Sequence, residues 1–480
     1  MKENNKFLMI GLGKSGLAMI DYLDSLGKNI LAYDNNKDLK IRIQDYKNVE
    51  FYIGKNPSGE EMVDQVIISP GVPTDLPFVK KFIDRGIEVI GEVEFAYRHT
   101  RGTFVGVTGT NGKTTTTTLL GEFFKKYGLD TKVVGNIGNP VIEAVRNADE
   151  HTWYVSELSS FQLEMIKEFK CHIAGFLNLT PDHLNRHGSL KTYGEMKSNI
   201  FKNQTKDDYA VLNYEDDYVC HLGEKLPSKV LYFSTKREVP FGIYLKEGYI
   251  YENITGITNK LFDRKNVLLA GNHNMENVLM AMCMAYCANI SFDCMKSVLS
   301  NFEGVEHRLE FVEMIDGVRY INDSKGTNPD ASVKAVEAFE KNIILIAGGM
   351  DKKVPFDKFV ETFTGKHLGK VKKLILLGET KNIIKDCAQK HGFDSVDLVN
   401  NMEEAVDADY IYVMEEGEIV LEGTPKEVFV NIEKLQNLGL DVPPMTLLCS
   451  ELRKHDIQIS QDILTVEEMI DSLCQLKSQI

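Results

Sequence analysis

A chain of 480 residues is long enough for about three domains, each with a core of its own. Its 43% hydrophobic and 26% charged content is that of an ordinary globular protein, and a formal net charge of −15 opposes binding to a nucleic-acid backbone, which rests on clustered Lys and Arg. The eight cysteines show no paired CxxC spacing, residues 1–10 lack a signal peptide's apolar stretch, and no later segment is long enough to span a bilayer; reduced thiols, no membrane insertion and a cytoplasmic location are expected.

Lys6 to Ile10 form a short apolar run that feeds Gly11-Leu12-Gly13-Lys14-Ser15-Gly16, and Leu17, Ile20, Leu23 and Leu26 then mark an amphipathic helix. Ile30 to Tyr33 read as a second strand ending at Asp34, about 20 residues on, where a ribose-binding acid belongs. Alone this is a dinucleotide fingerprint, and an NAD(P)-dependent oxidoreductase is one reading of it. Val66 to Ile68 lead into Ser69-Pro70-Gly71, where a glycine after a strand end lets backbone N–H groups meet a diphosphate, although on these residues alone a plain turn is the preferred reading.

The second strand-to-helix turn is Gly109-Thr110-Asn111-Gly112-Lys113-Thr114-Thr115, between the apolar run Phe104 to Val107 and a helix carrying Leu119, Leu120, Phe123 and Phe124. A helix N-terminus offers unpaired N–H groups, the glycines let the backbone approach an anion, Lys113 can reach the β- and γ-phosphates, and Thr114 can ligate Mg²⁺. The strict phosphate-loop pattern is not met, because Val107 occupies the first glycine position. After the strand Trp153 to Val155 comes Glu157, a strand-end carboxylate able to reach the ion that Thr114 would hold. Farther on, Ile173 to Leu177 run into Asn178-Leu179-Thr180-Pro181-Asp182-His183, and Asn274 and Asn277, three apart at the start of an apolar helix, share a face able to hydrogen-bond a nucleobase. Val318 to Ile321, Ile343 to Ile346 and Leu374 to Leu377 repeat the strand-then-polar-loop pattern.

The loop Gly109 to Thr115 resembles the ATP loop of the Mur ligases, whose glycine spacing is relaxed in the same way, and the chain from about Lys6 to Ala408 is similar to the D-glutamate-adding members. The resemblance implies that Gly11, Gly13, Lys14, Ser15, Asp34, Ser69 and Gly71 hold the UDP of the precursor and not a nicotinamide. It also implies substrate contacts at Asn136, Lys325, Thr327, Asp351 and Lys353. ATP contacts are implied at Gly109 to Thr115, Asn274, Asn277, Arg308 and Asp323, and magnesium ligands at Thr114, Glu157, His183 and Lys197. Lys197 matches the family's carbamylated lysine; a lysine cation repels Mg²⁺, whereas its CO₂ adduct is an anionic oxygen ligand. Lys113, Glu157, His183 and Lys197 are then the catalytic group.

Past residue 408 the resemblance is expected to stop, since the serine loop and phenylalanine-bearing helix that finish the family's D-glutamate pocket are missing. Residues 408–429 instead resemble an ABC transporter ATPase, and the remainder to Ile480 resembles the C-terminal end of the energy-coupling-factor type, without a phosphate loop or signature of its own. Ile411 to Met414 and Glu418 to Leu421 around Glu416-Gly417 give a hairpin signal, Thr424 with Glu427 reads as a capping box, and Ile411 to Met414 could also dock as the missing parallel strand.

The expected fold is α/β with three domains and an atypical tail. A Rossmann-like UDP domain spans 1–98, a P-loop ATPase domain 99–302, an incomplete Rossmann-like C-terminal domain 303–408, and a hairpin-plus-helices tail 409–480. The expected activity is ATP- and Mg²⁺-dependent addition of D-glutamate to UDP-N-acetylmuramoyl-L-alanine through an acyl phosphate in peptidoglycan synthesis, by a monomer and impaired by the atypical tail. An oxidoreductase and a non-catalytic ABC-transporter accessory protein are the alternatives.

Overall fold

The computed structural model describes residues 5–480 except 147–148, 270–271, 303, 305–309, 316–317, 325, 340, 402–410, 416–417, 424–430, 433, 435–441, 443, 455–456, 458, 461–462, 464–468, 471 and 474–480. The chain forms two compact units, Met1–Val305 and Glu306–Ile480.

In the first unit β1 (Lys6–Ile10), β2 (Asn29–Asp34), β3 (Val49–Ile53), β4 (Gln65–Ile68) and β5 (Glu88–Gly91) make a parallel sheet in the order β3-β2-β1-β4-β5. The strands of its centre are buried apolar runs, as a parallel sheet covered on both faces requires. Strand order reverses between β1 and β4, so the loops after these two strands open the crevice in which doubly wound sheets take their ligands.

The second sheet has nine strands. They are β6 (Thr103–Thr108), β7 (Thr131–Gly135), β8 (Trp153–Glu157), β9 (Ile173–Phe176), β10 (Tyr209–Asn213), β11 (Lys229–Ser234), β12 (Gly242–Lys246), β13 (Tyr249–Glu252) and β14 (Asn259–Asp263), in the order β14-β13-β12-β11-β10-β9-β6-β8-β7. Strands β6 to β12 pair parallel and β12 to β14 finish as an antiparallel meander. The helix Lys113–Tyr127 lies on this sheet and packs against the helix Asn272–Cys287, whose apolar residues are almost wholly buried.

One core continues from the first sheet into the second: Phe95 meets Phe7 edge to face at 6.1 Å, and Tyr97 meets Phe104 at 5.7 Å and Phe169 at 5.5 Å. The short helix Glu92–Tyr97 also carries two buried carboxylates that bind backbone of the second sheet's connections. Glu92 Oε1 accepts from the Ile142 N–H at 2.7 Å, and Glu94 accepts from the N–H groups of Lys167, Glu168 and Phe169 at 2.8 to 3.1 Å.

In the second unit β15 (Glu310–Ile315) and β16 (Val318–Asn322) form a hairpin. The strands β17 (Ile343–Gly348), β18 (Val371–Leu377) and β19 (Val396–Leu398) form a parallel sheet in sequential order. The tail hairpin is present, as β20 (Ile411–Glu415) and β21 (Glu418–Gly423) pair antiparallel. Docking of Ile411 to Met414 as a further parallel strand is not what the structure holds: among the described residues β20 pairs only with β21, which takes up its backbone groups in a sheet apart from β17 to β19. A helix, Pro444–Lys454, follows; Thr424 and Glu427 of the expected capping box lie outside the described residues.

Candidate active site

Strand β6 lies between β8 and β9, so the loop Gly109 to Gly112 leaves the sheet flanked by the ends of both neighbours. Gly112 caps the helix with φ +85°, and a Cβ there would stand 2.1 Å from Asn277 Oδ1; this position needs glycine twice over. The loop is tied to the chain after β9: the Asn111 N–H donates to Asn178 Oδ1 at 2.9 Å, Asn178 Nδ2 returns a bond to Asn111 O at 3.2 Å, and Thr110 Oγ1 donates to Thr180 O at 3.0 Å. Thr115 is buried in the first turn of the helix.

Lys113 Nζ donates to Thr110 O at 2.8 Å, within the phosphate loop itself. Thr114 Oγ1 donates to Glu157 Oε2 at 2.9 Å, and Asn136 Nδ2 donates to Glu157 Oε1 at 2.8 Å. Thr114 and the strand-end carboxylate of Glu157 are therefore in direct contact, and Asn136 holds the other oxygen of the same group. A hydroxyl and a carboxylate meeting beside a helix N-terminus form a hard oxygen donor set, which fits a magnesium ion and the phosphates it would accompany.

Lys197, 1% exposed, donates to Gly109 O at 2.7 Å and sits 4.6 Å from the centre of the Tyr193 ring. Burial, and then the Lys113 cation, push its pKa well below the usual lysine range, against the opposing pull of Asp182 and Glu157. His183 takes the left-handed conformation, φ +51°, at the start of the helix Leu184–His187; its Nε2 is 3.6 Å from Asp182 Oδ2 and its ring meets Phe161 edge-on at 5.0 Å.

Asn274 and Asn277 share a face as expected, and the structure brings them to the phosphate loop: both are buried, Asn277 Nδ2 donates to Asn274 Oδ1 at 3.2 Å, and the Asn277 amide abuts Gly112.

At the first sheet, Gly11 has φ +86° and a Cβ on it would collide with Ser69 and Val72, so the loops after β1 and β4 touch at the reversal of strand order. Asp34 Oδ2 accepts from the Leu12 N–H at 2.7 Å and so steadies the Gly11 to Gly13 loop, while Gly13 caps the helix Lys14–Ser25 that contains Ser15. Lys14 Nζ donates to Gly138 O at 2.6 Å, joining this loop to the glycine turn that carries Asn136. Ser69 and Gly71 lie in the adjoining turn, where the Val72 N–H donates to Ser69 O at 2.9 Å and Val72 O accepts from Arg186.

In the second unit Arg308 and Lys325 lie outside the described residues. Asp323 follows β16 and its backbone carbonyl accepts from the Gly326 N–H at 2.7 Å; Thr327 is exposed next to Asn328, which caps the helix Pro329–Glu337. Asp351 and Lys353 pair with each other at 2.6 Å in the loop after β17.

The sequence reading passed over Asn178 and Asp182. Both stand in the polar stretch after β9, and a strand next to the phosphate-loop strand must end beside that loop; the signal was present once β9 and β6 are known to be neighbours. It also missed Glu164, whose carboxylate takes Arg186 at 2.8 Å and faces His187 at 3.7 Å, while His187 Nε2 meets Ser160 Oγ at 3.0 Å.

Three family models match the chain: a Mur ligase MurD-like N-terminal domain over residues 5–91, a Mur ligase middle domain over 107–285, and a Mur ligase glutamate ligase domain over 307–422. The last one runs past residue 408, where the resemblance was expected to end, and takes in β20 and nearly all of β21; the break lies later than the local composition suggested. The chain is 45% identical over 425 residues to the UDP-N-acetylmuramoylalanine–D-glutamate ligase of Clostridioides difficile (strain 630), covering 87% of this chain and 93% of that one. It is 46% identical over 426 residues to the ligase of the same name from Thermoanaerobacter pseudethanolicus, with the same coverage. Among solved structures, MurC of Thermotoga maritima matches with a TM-score of 0.54 at 18% identity, covering 84% of this chain and 92% of that one. A pseudomurein peptide ligase type C from Methanothermus fervidus matches with 0.50 at 19% identity, covering 90% and 94%. These two likenesses concern the fold, whereas the sequence matches over most of both chains, and a phosphate loop built as the family's is, assign the activity class: the chain belongs to the Mur ligase family and is an ATP-dependent, amide-bond-forming ligase.

Proposed function

We propose that the chain joins the amine of D-glutamate to the alanyl carboxylate of UDP-N-acetylmuramoyl-L-alanine as ATP is cleaved to ADP and phosphate, and that it works in the cytoplasm as a monomer. The single observation that carries the site reading is the meeting of Thr114, Glu157 and Lys113 at the phosphate loop, in a chain 45% identical to a ligase of that name. Family membership replaces the oxidoreductase and transporter-accessory readings. Among the described residues no helix is long and apolar enough to cross a membrane.

In this reading the substrate carboxylate attacks the γ-phosphorus of ATP, ADP leaves, and an acyl phosphate results. The D-glutamate amine then adds to the acyl carbon, and the tetrahedral intermediate expels phosphate as the amine loses a proton. Lys113 turns from Thr110 O toward the phosphates and offsets the charge that builds on them. Thr114 and Glu157 would hold a magnesium ion, with His183 and carbamylated Lys197 at a second position; such ions would supply charge neutralisation on the transferring phosphoryl group.

The lowered pKa of Lys197 supports the carbamate. The neutral amine attacks CO₂, the new N–C bond forms and a proton leaves to solvent, so a neutral group in the site becomes an anion. Gly11, Gly13, Lys14, Ser15, Asp34, Ser69 and Gly71 receive the UDP at the crevice between β1 and β4, with Asn136 toward the sugar. ATP is completed by Asn274, Asn277, Arg308 and Asp323. Lys325, Thr327, Asp351 and Lys353 face the incoming amino acid.

The deciding experiment is ADP release with UDP-N-acetylmuramoyl-L-alanine and D-glutamate together and each omitted, alongside Lys113→Ala. Release that needs both substrates, lost in the variant while the UDP substrate still binds, is expected. Release indifferent to the muramoyl substrate, or normal turnover in Lys113→Ala, overturns the reading.

A further inference from the structure

The second unit holds a group of potential ligands for which ligase chemistry has no use. Asp357 and Glu361 lie four residues apart on the helix Asp357–Glu361, and Cys387 and His391 lie four apart at the end of the helix Lys381–Lys390, with His391 as its C-cap. Side chains four apart share a helix face, and these two helices pack together, so each turns a pair of donors to the other. One ligand atom from each of Asp357, Cys387 and His391 lies within 4.8 Å of the other two.

The histidine is arranged for ligation. Its Nδ1 is 2.9 Å from the Cys387 carbonyl oxygen, which can only accept, so Nδ1 carries the hydrogen and the Nε2 lone pair is left on the side of Asp357. Metal-bound histidines are oriented in this way, one ring nitrogen donating to a carbonyl or carboxylate while the other binds. Nε2 and Asp357 Oδ1 are 3.9 Å apart, too far for a hydrogen bond. Two nitrogen, oxygen or sulfur atoms on one tetrahedral zinc stand about 3.3–3.8 Å apart, so a small closure of the helix pair would seat an ion. The Cys387 thiol lies 4.0 Å from Nδ1 of the same ring, and its sulfur and an Asp357 oxygen are within 4.8 Å of each other. Asp357 is 51% exposed and His391 24%, so an ion has a way in.

We propose that Asp357, Cys387 and His391 form a binding site for a zinc-class divalent cation that clamps the two helices, with Glu361 or water in the fourth position. A thiolate, an imidazole and a carboxylate together select a borderline-soft ion over magnesium. On binding, the sulfur–metal bond forms as the thiol proton passes to solvent. The site shares no residue with the phosphate loop and does not depend on which amino acid the ligase adds.

The test uses the reduced full-length chain in excess Mg²⁺, titrated with Co²⁺ for its thiolate charge-transfer band and with Zn²⁺ against a chromophoric chelator. A charge-transfer band and a single tight zinc site are expected. Cys387→Ser abolishes the band, and Asp357→Asn, at a half-exposed position that leaves the core untouched, weakens zinc at least about tenfold, which is about 1.4 kcal/mol. Cys220→Ser alters neither. The proposal is overturned if no tight zinc is taken up, if the band survives Cys387→Ser, or if Asp357→Asn binds zinc as the parent does.

Discussion

At Lys197 burial and a neighbouring cation act together on one amine, and a testable consequence follows from the anion proposed there. Lys197→Ala removes the carbamate oxygens and should lower ADP release at least about a hundredfold, as loss of a charge-bearing ligand does. Formate or acetate supplied at high concentration should restore part of it; full activity without additives would remove Lys197 from the site. Glu92 shows the same physics with the opposite sign of charge. Burial pushes its carboxyl up to about 7, and among the described residues its Oε2 finds no hydrogen-bond partner. The folded chain thus keeps a proton that the unfolded carboxyl releases near 4.5. The stability this group contributes is full below that lower value and is lost as pH climbs through about 7. The span corresponds to a loss on the order of 3 kcal/mol. Glu92→Gln, which keeps an acceptor for the Ile142 N–H, should flatten the fall in melting temperature between pH 5 and pH 8; an unchanged slope would place the proton elsewhere.

At the scale of elements, the strand-loop-helix from β6 to Tyr127 can be tested by contrasting its two ends. Gly112 and Gly128 both have positive φ, but a Cβ on Gly112 strikes Asn277 whereas one on Gly128 meets nothing. Gly128→Ala should cost only backbone strain, about 1–2 kcal/mol, with unchanged kinetics. Gly112→Ala should cost more and also raise the KM for ATP at least about tenfold, because the loop must move. Similar kinetics for the two would show that the Gly112 contact is unimportant to nucleotide binding. Elements of this kind were legible: Lys6 to Ile10, Trp153 to Val155 and Ile173 to Leu177 are apolar runs between polar loops, and each became a buried parallel strand within two residues of the expected ends. Less legible was what reaches across the sheets. Asn178 at the phosphate loop, and Glu94 with its three backbone donors, act on partners some 70 residues away, and no local period records that. The docking of β20 was misjudged for a related reason, since an apolar β-prone run does not say which edge it will pair with.

At the scale of the whole molecule, the part of the chain after residue 422 lies beyond the family models, and Cys449, Ile459, Ile463 and Met469 pack there into a small cluster of their own. The proposed phosphate-binding residues lie well before it, so exchanging residues 424–480 for the ending of a curated relative should leave phosphate transfer to the muramoyl carboxylate unchanged. The same exchange should lower the KM for D-glutamate about tenfold to a hundredfold, the worth of one charge-assisted carboxylate contact. Equal D-glutamate constants would mean that the native tail serves that contact itself.

The helix Glu92–Tyr97 joins its two sheets through carboxyl groups in the interior, and this bears on how the first unit comes apart. Four backbone N–H groups of the second sheet's connections, those of Ile142, Lys167, Glu168 and Phe169, end on carboxylates that belong to the first. If one sheet opened alone, it would leave those carboxylates or those donors stranded beneath apolar cover, so neither opening is cheap. In hydrogen exchange the four amides should therefore slow to the rate of the strand amides of β4 and β5, and denaturant should release both sheets in one step.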